Sequence, residues 1–401
     1  MLDIDTNPVK IKEILSRGVY EIVTQKELEE KLLSGKQLHL KLGIDVTGPL
    51  IHLGHSVIQR KIRDFQELGH KVTLIIGDFT TLVGDHSDKV DMRDERDRTS
   101  ISKDEETYKD QFFKTVLKEN TEVRHNSEWL SKLDFNDVIG LAKVFTVGQM
   151  LEREAFNKRF TSQKPIGLDE LLYPLMQGYD SIALKCDVEF GGTDQIFNLL
   201  AGRKLMEAKG LIPQNTFSMN LLTGSDGRPM GKSLKNYIPV NDSPNDMFGK
   251  LMSIVDEVIF DYFELVTRVS MADIETMKQE VASGANPMTF KKDLALNVVE
   301  FYHGKQEALK AHAHFQKTVQ NKEVELEDLV DITISTGEAT ILELLKENSG
   351  LSSGDLKRLV AQGGVEVDSV KITDYTKSLI LKSGMLIKVG KRKYFRVNLN
   401  Q

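Results

Sequence analysis

The sequence contains one cysteine, Cys186, one tryptophan and nine prolines in 401 residues. A lone cysteine closes no internal disulfide and cannot by itself make a thiolate metal site, so zinc held through cysteines is excluded. No segment holds the ~20 uncharged apolar residues needed to span a bilayer. The first residues, Met1-Leu-Asp-Ile-Asp-Thr, lack a basic stretch followed by an apolar run, so residence in the cytosol, without a membrane partner, is expected. Internal repeats and low-complexity tracts are missing as well. What is present is ordinary: 40% hydrophobic and 28% charged residues, the composition of a globular chain and not of a disordered, collagenous or disulfide-stapled one. At ~100–200 residues per domain, this length predicts two or three domains.

The net charge of −7 conceals an asymmetry. Residues 351–401 carry ten Lys and Arg against four Asp and Glu, leaving that stretch six positive and the remainder thirteen negative. A basic tail on an acidic body suits a polyanion such as RNA, since phosphate neutralisation supplies affinity independent of sequence. A solvated basic surface is the competing reading of charge alone.

Periodicity divides the chain further. Residues 8–35 read as helical, with Thr24 and Glu27 as a capping box and Gly35 as the stop. Leu38, Leu40, Leu42 and Ile44 alternate with polar residues as a strand does, ending near Asp45. Ile58, Ile62 and Phe65 follow at helical spacing up to Gly69, and Val72 to Ile76 forms another strand. Strand, helix and strand within ~40 residues make a βαβ unit and hence a parallel sheet. More strands are expected near Thr121–Arg124 and Val188–Phe190. The expected fold class is α/β: a Rossmann-like parallel-sheet domain over 1–238, a helical domain over 239–330 that begins at Ser243-Pro244, and a small α+β module over 331–401.

Five segments carry chemistry. His52-Leu53-Gly54-His55 lies at a strand-to-helix transition, where free helix N–H groups attract phosphate and two imidazoles three positions apart can both donate to it. A locally satisfied histidine pair is the alternative. Gly77 to Asp85 follows the next strand, so Thr80 and Asp85 lie where open α/β sheets bind ligands, and Asp85 suits an ammonium group. Tyr173, Gln177 and Asp180, at i, i+4 and i+7, put a phenol, an amide and a carboxylate on one face of a largely apolar helix. Buried polar groups need partners, and a bound amino acid would supply them. Gly191-Gly192-Thr193-Asp194-Gln195 offers close backbone approach and a carboxylate for ribose hydroxyls. Last, Arg228-Pro229-Met230-Gly231-Lys232-Ser233 sits in a glycine-rich basic loop suited to the charge that develops when pyrophosphate leaves phosphorus.

With these motifs the chain resembles the bacterial tyrosyl-tRNA synthetases, class I aminoacyl-tRNA synthetases whose signatures are written HIGH and KMSKS. The match runs over nearly the whole chain. It implies an enzyme that condenses L-tyrosine with ATP to tyrosyl-adenylate and pyrophosphate, then transfers tyrosine to the terminal ribose of tRNA(Tyr), with Mg²⁺ accompanying the ATP. By resemblance, His52, His55, Lys232, Lys89 and Arg93 assist the reaction. Asp45, Thr47, Gly54, Gly192, Asp194, Met230 and Ser233 bind ATP. Thr80, Asp85, Tyr173, Gln177 and Gln195 hold the amino acid, and Asp180 accepts its phenol. The C-terminal module resembles a ribosomal RNA-binding module, and a homodimer formed through 125–165 is implied. No residue is assigned to a protein-held metal.

Three departures stand out. Lys41 occupies the place where many members carry a second tyrosine hydroxyl. Pro229 and Gly231 replace the first lysine and first serine of KMSKS, so Lys232 is expected to carry more of the loop's charge, aided by Arg228. His86-Ser87-Asp88 alters a loop that commonly reads Pro-Ser/Thr-Gly. The rival readings are a tryptophanyl-tRNA synthetase and a non-catalytic RNA-binding relative.

Overall fold

The computed structural model describes residues 4–45, 50–84, 98–230, 234–320, 329–334, 336–346, 348–368, 370–390 and 393–399, with the backbone alone at 98–104 and 319–320. The chain divides into two compact units, Met1–Ala311 and His312–Gln401.

The first unit is built on a six-stranded sheet of β1 (Val19–Val23), β2 (His39–Ile44), β3 (Lys71–Ile76), β4 (Thr121–His125), β5 (Val188–Gly192) and β6 (Asn215–Met219). Its spatial order is β1-β6-β5-β2-β3-β4. All neighbours are parallel except β1, which runs antiparallel to β6. Parallel strands need helical crossovers that cover both faces, and β3 is accordingly buried along almost its whole length. The first crossover is α1 (Leu53–Glu67), which buries Leu53, Val57, Ile62 and Phe65. Gly69, at φ +98°, ends it in a conformation that favours glycine. The expected βαβ unit and the four expected strands are therefore present.

One expectation fails. Residues 8–35 are not a continuous helix but a helix (Pro8–Ile14), the strand β1 and a second helix (Gln25–Leu33). Gly18, at φ +64°, turns the chain, and the β-branched Val19, Ile22 and Val23 pair with β6, as suits residues with stiff χ1. Thr24 stands in the left-handed region and its side chain does not cap the second helix, so the Thr24–Glu27 capping box does not form. β6 also escaped the sequence reading: Asn215-Thr-Phe-Ser-Met is a short and mostly polar stretch, yet it is buried along its whole length. The helical stretch begins as expected: Ser243 Oγ accepts from Asp246 N, Pro244 opens the first helix, and helices Ile259–Val266, Met271–Ala282 and Pro287–His303 follow.

The second unit orders β10 (Val370–Ile372), β9 (Val365–Val367), β12 (Leu386–Val389), β13 (Lys393–Leu399) and β7 (Leu329–Ile334) in one sheet. β11 (Ser378–Ile380) and β8 (Glu338–Thr340) form a separate pair. Thr340 and Ser352 cap the two short helices, each accepting a backbone N–H three residues on. Ile341, Leu345, Leu356, Val360, Ile387 and Phe395 make its core.

Within the first unit His70, fully buried between α1 and β3, accepts the Leu38 N–H through Nδ1 (3.1 Å). Burial pushes its pKa down to about 4, so the folded chain holds it neutral while the unfolded chain takes up a proton near pH 6.5. The folded state then binds fewer protons, and stability is lost as pH falls from about 6.5 towards 4, by up to about 3 kcal/mol. Thermal unfolding across that range should show a steeper loss in wild type than in His70→Asn, and equal slopes would refute the assignment.

Candidate active site

The β2–β5 ladder stops at Lys41↔Glu189, although both strands run on, to Ile44 and Gly192. On their other sides the same strands stay paired to those ends, with Ile44 opposite Ile76 and Gly192 opposite Met219. β2 and β5 thus part at their carboxyl ends. This is where the strand order reverses, with β3 on one side of β2 and β5 on the other, and open α/β sheets bind ligands at such a switch point.

Four groups of sequence-predicted residues line the opening. Asp45, directly after β2, accepts the Tyr173 hydroxyl on Oδ2 (2.9 Å) and the Thr80 hydroxyl on Oδ1 (2.8 Å). Asn126 Nδ2 donates to Thr80 Oγ1 (3.0 Å), and Asn126 Oδ1 accepts from Phe79 N (3.0 Å). A methyl on Gly77 would overlap both Asp45 Oδ1 and Thr80 Oγ1, so glycine there lets the two meet.

The second group lies on α2 (Leu168–Leu184). Its spacing turns Tyr173, Gln177 and Asp180 to one side, with Tyr173 and Asp180 buried. Asp180 Oδ1 accepts from Trp129 Nε1 (2.8 Å). Burial pushes the Asp180 carboxyl up to about 7, while the Lys41 charge and the Trp129 and Asn126 donors oppose the rise.

At the start of α1 the His52 and His55 rings stack with centroids 3.8 Å apart. His52 N donates to His55 Nδ1 (3.3 Å), so the neutral His55 ring carries its proton on Nε2, a donor of the kind an anion above the helix N-terminus takes. A Cβ on Gly54 would come within 2.9 Å of Met230 Sδ and 3.0 Å of the His52 ring. The two signature segments therefore touch at Gly54. Beyond β5, Gly192 leads into the turn Thr193–Gln195, where Asp194 is exposed and accepts from Gln195 Nε2 (2.9 Å).

Thr47, Asp85, Lys89, Arg93, Gly231, Lys232 and Ser233 lie outside the described residues, as does His86-Ser87-Asp88. Arg228 is ion-paired to Asp226 (Nη2–Oδ2 2.6 Å), and Asn236 and Arg228 hold that carboxyl down to about 2. Arg228, expected from the sequence to aid Lys232, is thus bound within its own turn. Lys41 proves fully buried and ion-paired to Glu189 (2.9 Å). Asn126, Trp129 and Glu189 were missed in the sequence. The only tryptophan, and an asparagine at the carboxyl end of β4, were the available signals.

A family model described as tRNA synthetases class I (W and Y) matches residues 33–320. The chain belongs to this family of class I tRNA synthetases for tryptophan and tyrosine. Among its relatives, a tyrosine–tRNA ligase of Geobacter sulfurreducens is 44% identical over 96% of this chain and 97% of its own length. One of Thermotoga maritima is 42% identical over 98% of each. The fold is similar to a C-terminally truncated mitochondrial tyrosyl-tRNA synthetase of Aspergillus nidulans, with TM-score 0.64 and 20% identity over 77% of this chain and 93% of that one. It is also similar to a Plasmodium falciparum tryptophanyl-tRNA synthetase, with TM-score 0.59 and 14% identity over 78% and 92%.

Because Gly54 is the contact between the two signatures, Gly54→Ala should displace Met230 or tilt the His52 ring. Amino-acid-dependent ATP–pyrophosphate exchange should slow by about 10²-fold, the usual cost of ~1 Å misplacement at a reacting centre, with the amino-acid KM little changed. An undiminished rate would show that this contact does not matter.

Proposed function

We propose that the chain is a tyrosine–tRNA ligase. It activates tyrosine with ATP to tyrosyl-adenylate, releasing pyrophosphate, and passes the tyrosyl group to the terminal ribose of its tRNA. The observation that carries the choice of amino acid is Asp180, a carboxylate wholly buried on the helix that faces the crevice. Such an acceptor suits a phenol O–H, and a site built to bond a hydroxyl rejects the analogue lacking it, because its own polar group is left unpaired. The full-length relatives that bear this name support tyrosine over tryptophan.

The substrate carboxylate attacks the α-phosphorus in line, and no enzyme nucleophile takes part. Catalysis is positioning and charge stabilisation. His55 Nε2–H and the α1 N-terminus meet the phosphates beside His52, Gly54 and Met230; Thr47, Ser233, Lys232, Lys89 and Arg93 are proposed by resemblance. Gly192 and Asp194 take the ribose, with Gln195 next to them. Asp45 serves ATP and the reacting groups, Thr80 and Tyr173 present hydroxyls to the amino acid with Gln177, and Asp85 is proposed for its ammonium. Mg²⁺ is read as the counter-ion of ATP. Among the described residues no group of three or more His, Cys, Asp or Glu is arranged to hold a metal.

Residues 239–330 are read as the anticodon-side domain and 331–401 as the RNA-binding module. In the latter Arg358 and Arg396 are paired with Asp355 and Asp331, while Lys357, Lys371, Lys377 and Lys382 are exposed. Cytoplasmic location fits this role.

Exchange measured with tyrosine, tryptophan and phenylalanine tests the reading: activity with tyrosine, far above the other two, is expected. Tryptophan as the better substrate, or no exchange with any, would favour a rival. Binding of tRNA should weaken steeply with salt, as phosphate contacts dictate.

The proposed homodimer draws support from large apolar side chains left exposed on 125–165, among them Phe135 (78%), Val147 (66%) and Phe160 (61%). Light scattering at micromolar concentration should give twice the chain mass, and Phe135→Glu should lower it. A monomeric wild type would overturn the dimer.

A further inference from the structure

Lys41 and Glu189 face each other across β2 and β5, at the last rung before those strands part. Both are essentially unexposed, at 0% and 1%. Every donor and acceptor of the pair is used. Lys41 Nζ donates to Glu189 Oε1 (2.9 Å), Ser181 Oγ (2.8 Å) and the Gln177 carbonyl (2.9 Å), which accounts for the three N–H bonds of an ammonium. It therefore has none to offer a phenol. Glu189 Oε1 also accepts from Gln177 Nε2 (3.1 Å), and Oε2 accepts from Ser181 Oγ (2.8 Å) and Gln214 Nε2 (2.7 Å). A carboxylate can only accept, so it dictates which way the Gln177 amide points: nitrogen to Glu189, carbonyl oxygen away from it.

We propose that the Lys41–Glu189 pair is the positioning element of the tyrosine pocket, fixing the Gln177 carbonyl oxygen as the acceptor for the substrate ammonium and setting the charge of Asp180 as the acceptor for the phenol. This rests on the tyrosine-ligase reading. Lys41 thus takes the place of a second phenol-binding hydroxyl without touching the phenol: it acts through the backbone of α2 and through its field.

The charged groups facing Asp180 are Lys41 from β2, which favours its ionisation, and Glu189 from β5, which opposes it; Trp129 and Asn126, from the segment after β4, are neutral donors. The Cys186 thiol also lies beside the pair and is pushed up to about 12 by burial, so it stays neutral. The two charges act on Asp180 with opposite sign, which gives the test its direction.

Tyrosine KM in the exchange reaction is measured from about pH 6 to 9 for wild type, for Glu189→Gln and for Lys41→Met/Glu189→Gln, with folding followed by circular dichroism. Tyrosine binding weakens as Asp180 takes up a proton, so KM rises at the acid end. In Glu189→Gln, Lys41 is left unopposed and the inflection should move to lower pH. In the double variant the cation is gone as well, and the inflection should lie at higher pH than in Glu189→Gln by about half a unit or more. Both variants should raise tyrosine KM about tenfold with kcat and ATP KM within about threefold. An inflection common to all three proteins, or loss of kcat and of both KM values together as from a merely loosened fold, would overturn the proposal. Should one variant not fold, the other read against wild type decides by the same KM and inflection criteria. A wild type without tyrosine-dependent exchange would instead bring down the functional reading, and this inference with it.

Discussion

The parting of β2 from β5 is the constraint on which the first unit depends. Parallel strands send their connections out at the same end, and when neighbours connect to opposite sides the loops diverge and leave a crevice. Here the ladder closes at Lys41↔Glu189, and several groups with chemistry stand just beyond that rung: Asp45 and the His52–His55 turn after β2, Thr80 after β3, Asn126 after β4, and Gly192 at the end of β5 with Thr193–Gln195 behind it. The sheet needs no special geometry for this. It needs strands that end in polar residues where an ordinary core strand would end in a turn.

A buried ion pair at that rung is an unusual choice, since well-packed apolar residues of similar volume often serve stability as well or better. What an apolar pair cannot do is bind a helix backbone and a side-chain amide at once. Lys41 and Glu189 hold Gln177 by both its carbonyl and its amide, and Ser181 by its hydroxyl. These are successive turns of α2, the helix that also carries Tyr173 and Asp180. With all its members satisfied, the network avoids the penalty that a half-satisfied one incurs in a low-dielectric interior.

Much of this was legible in the sequence. The period-2 run from Leu38 to Ile44 and the spacing of Ile58, Ile62 and Phe65 specify strand and helix because one face of each must be buried. The i, i+4, i+7 placement of Tyr173, Gln177 and Asp180 marks one polar face of α2, since a helix turns by 3.6 residues. β1 and β6 were not legible. β1 is an edge strand that a helical spacing fits equally well, and β6 is short and mostly polar although buried on both sides. Likewise nothing local marks Lys41 as a buried partner of Glu189, because their 148-residue separation is bridged only by strand register. Trp129 is found for the same reason only in three dimensions: it reaches Asp180 across 51 residues.

The polar side chains of the crevice satisfy one another. Asp45 is shared by Tyr173 and Thr80, Thr80 by Asn126, Asp180 by Trp129. A ligand entering such a site exchanges hydrogen bonds instead of filling empty ones, and its net gain per contact is small. Discrimination then comes from what the wrong ligand fails to replace. With Asp180 as the proposed phenol acceptor, a side chain without a hydroxyl would desolvate it and return nothing, so the penalty would fall on the competitor while the correct substrate would gain little affinity from the same contact. A pocket built this way favours selectivity over tight binding, which suits an enzyme of this family, whose amino acid must be held only until it is joined to its tRNA.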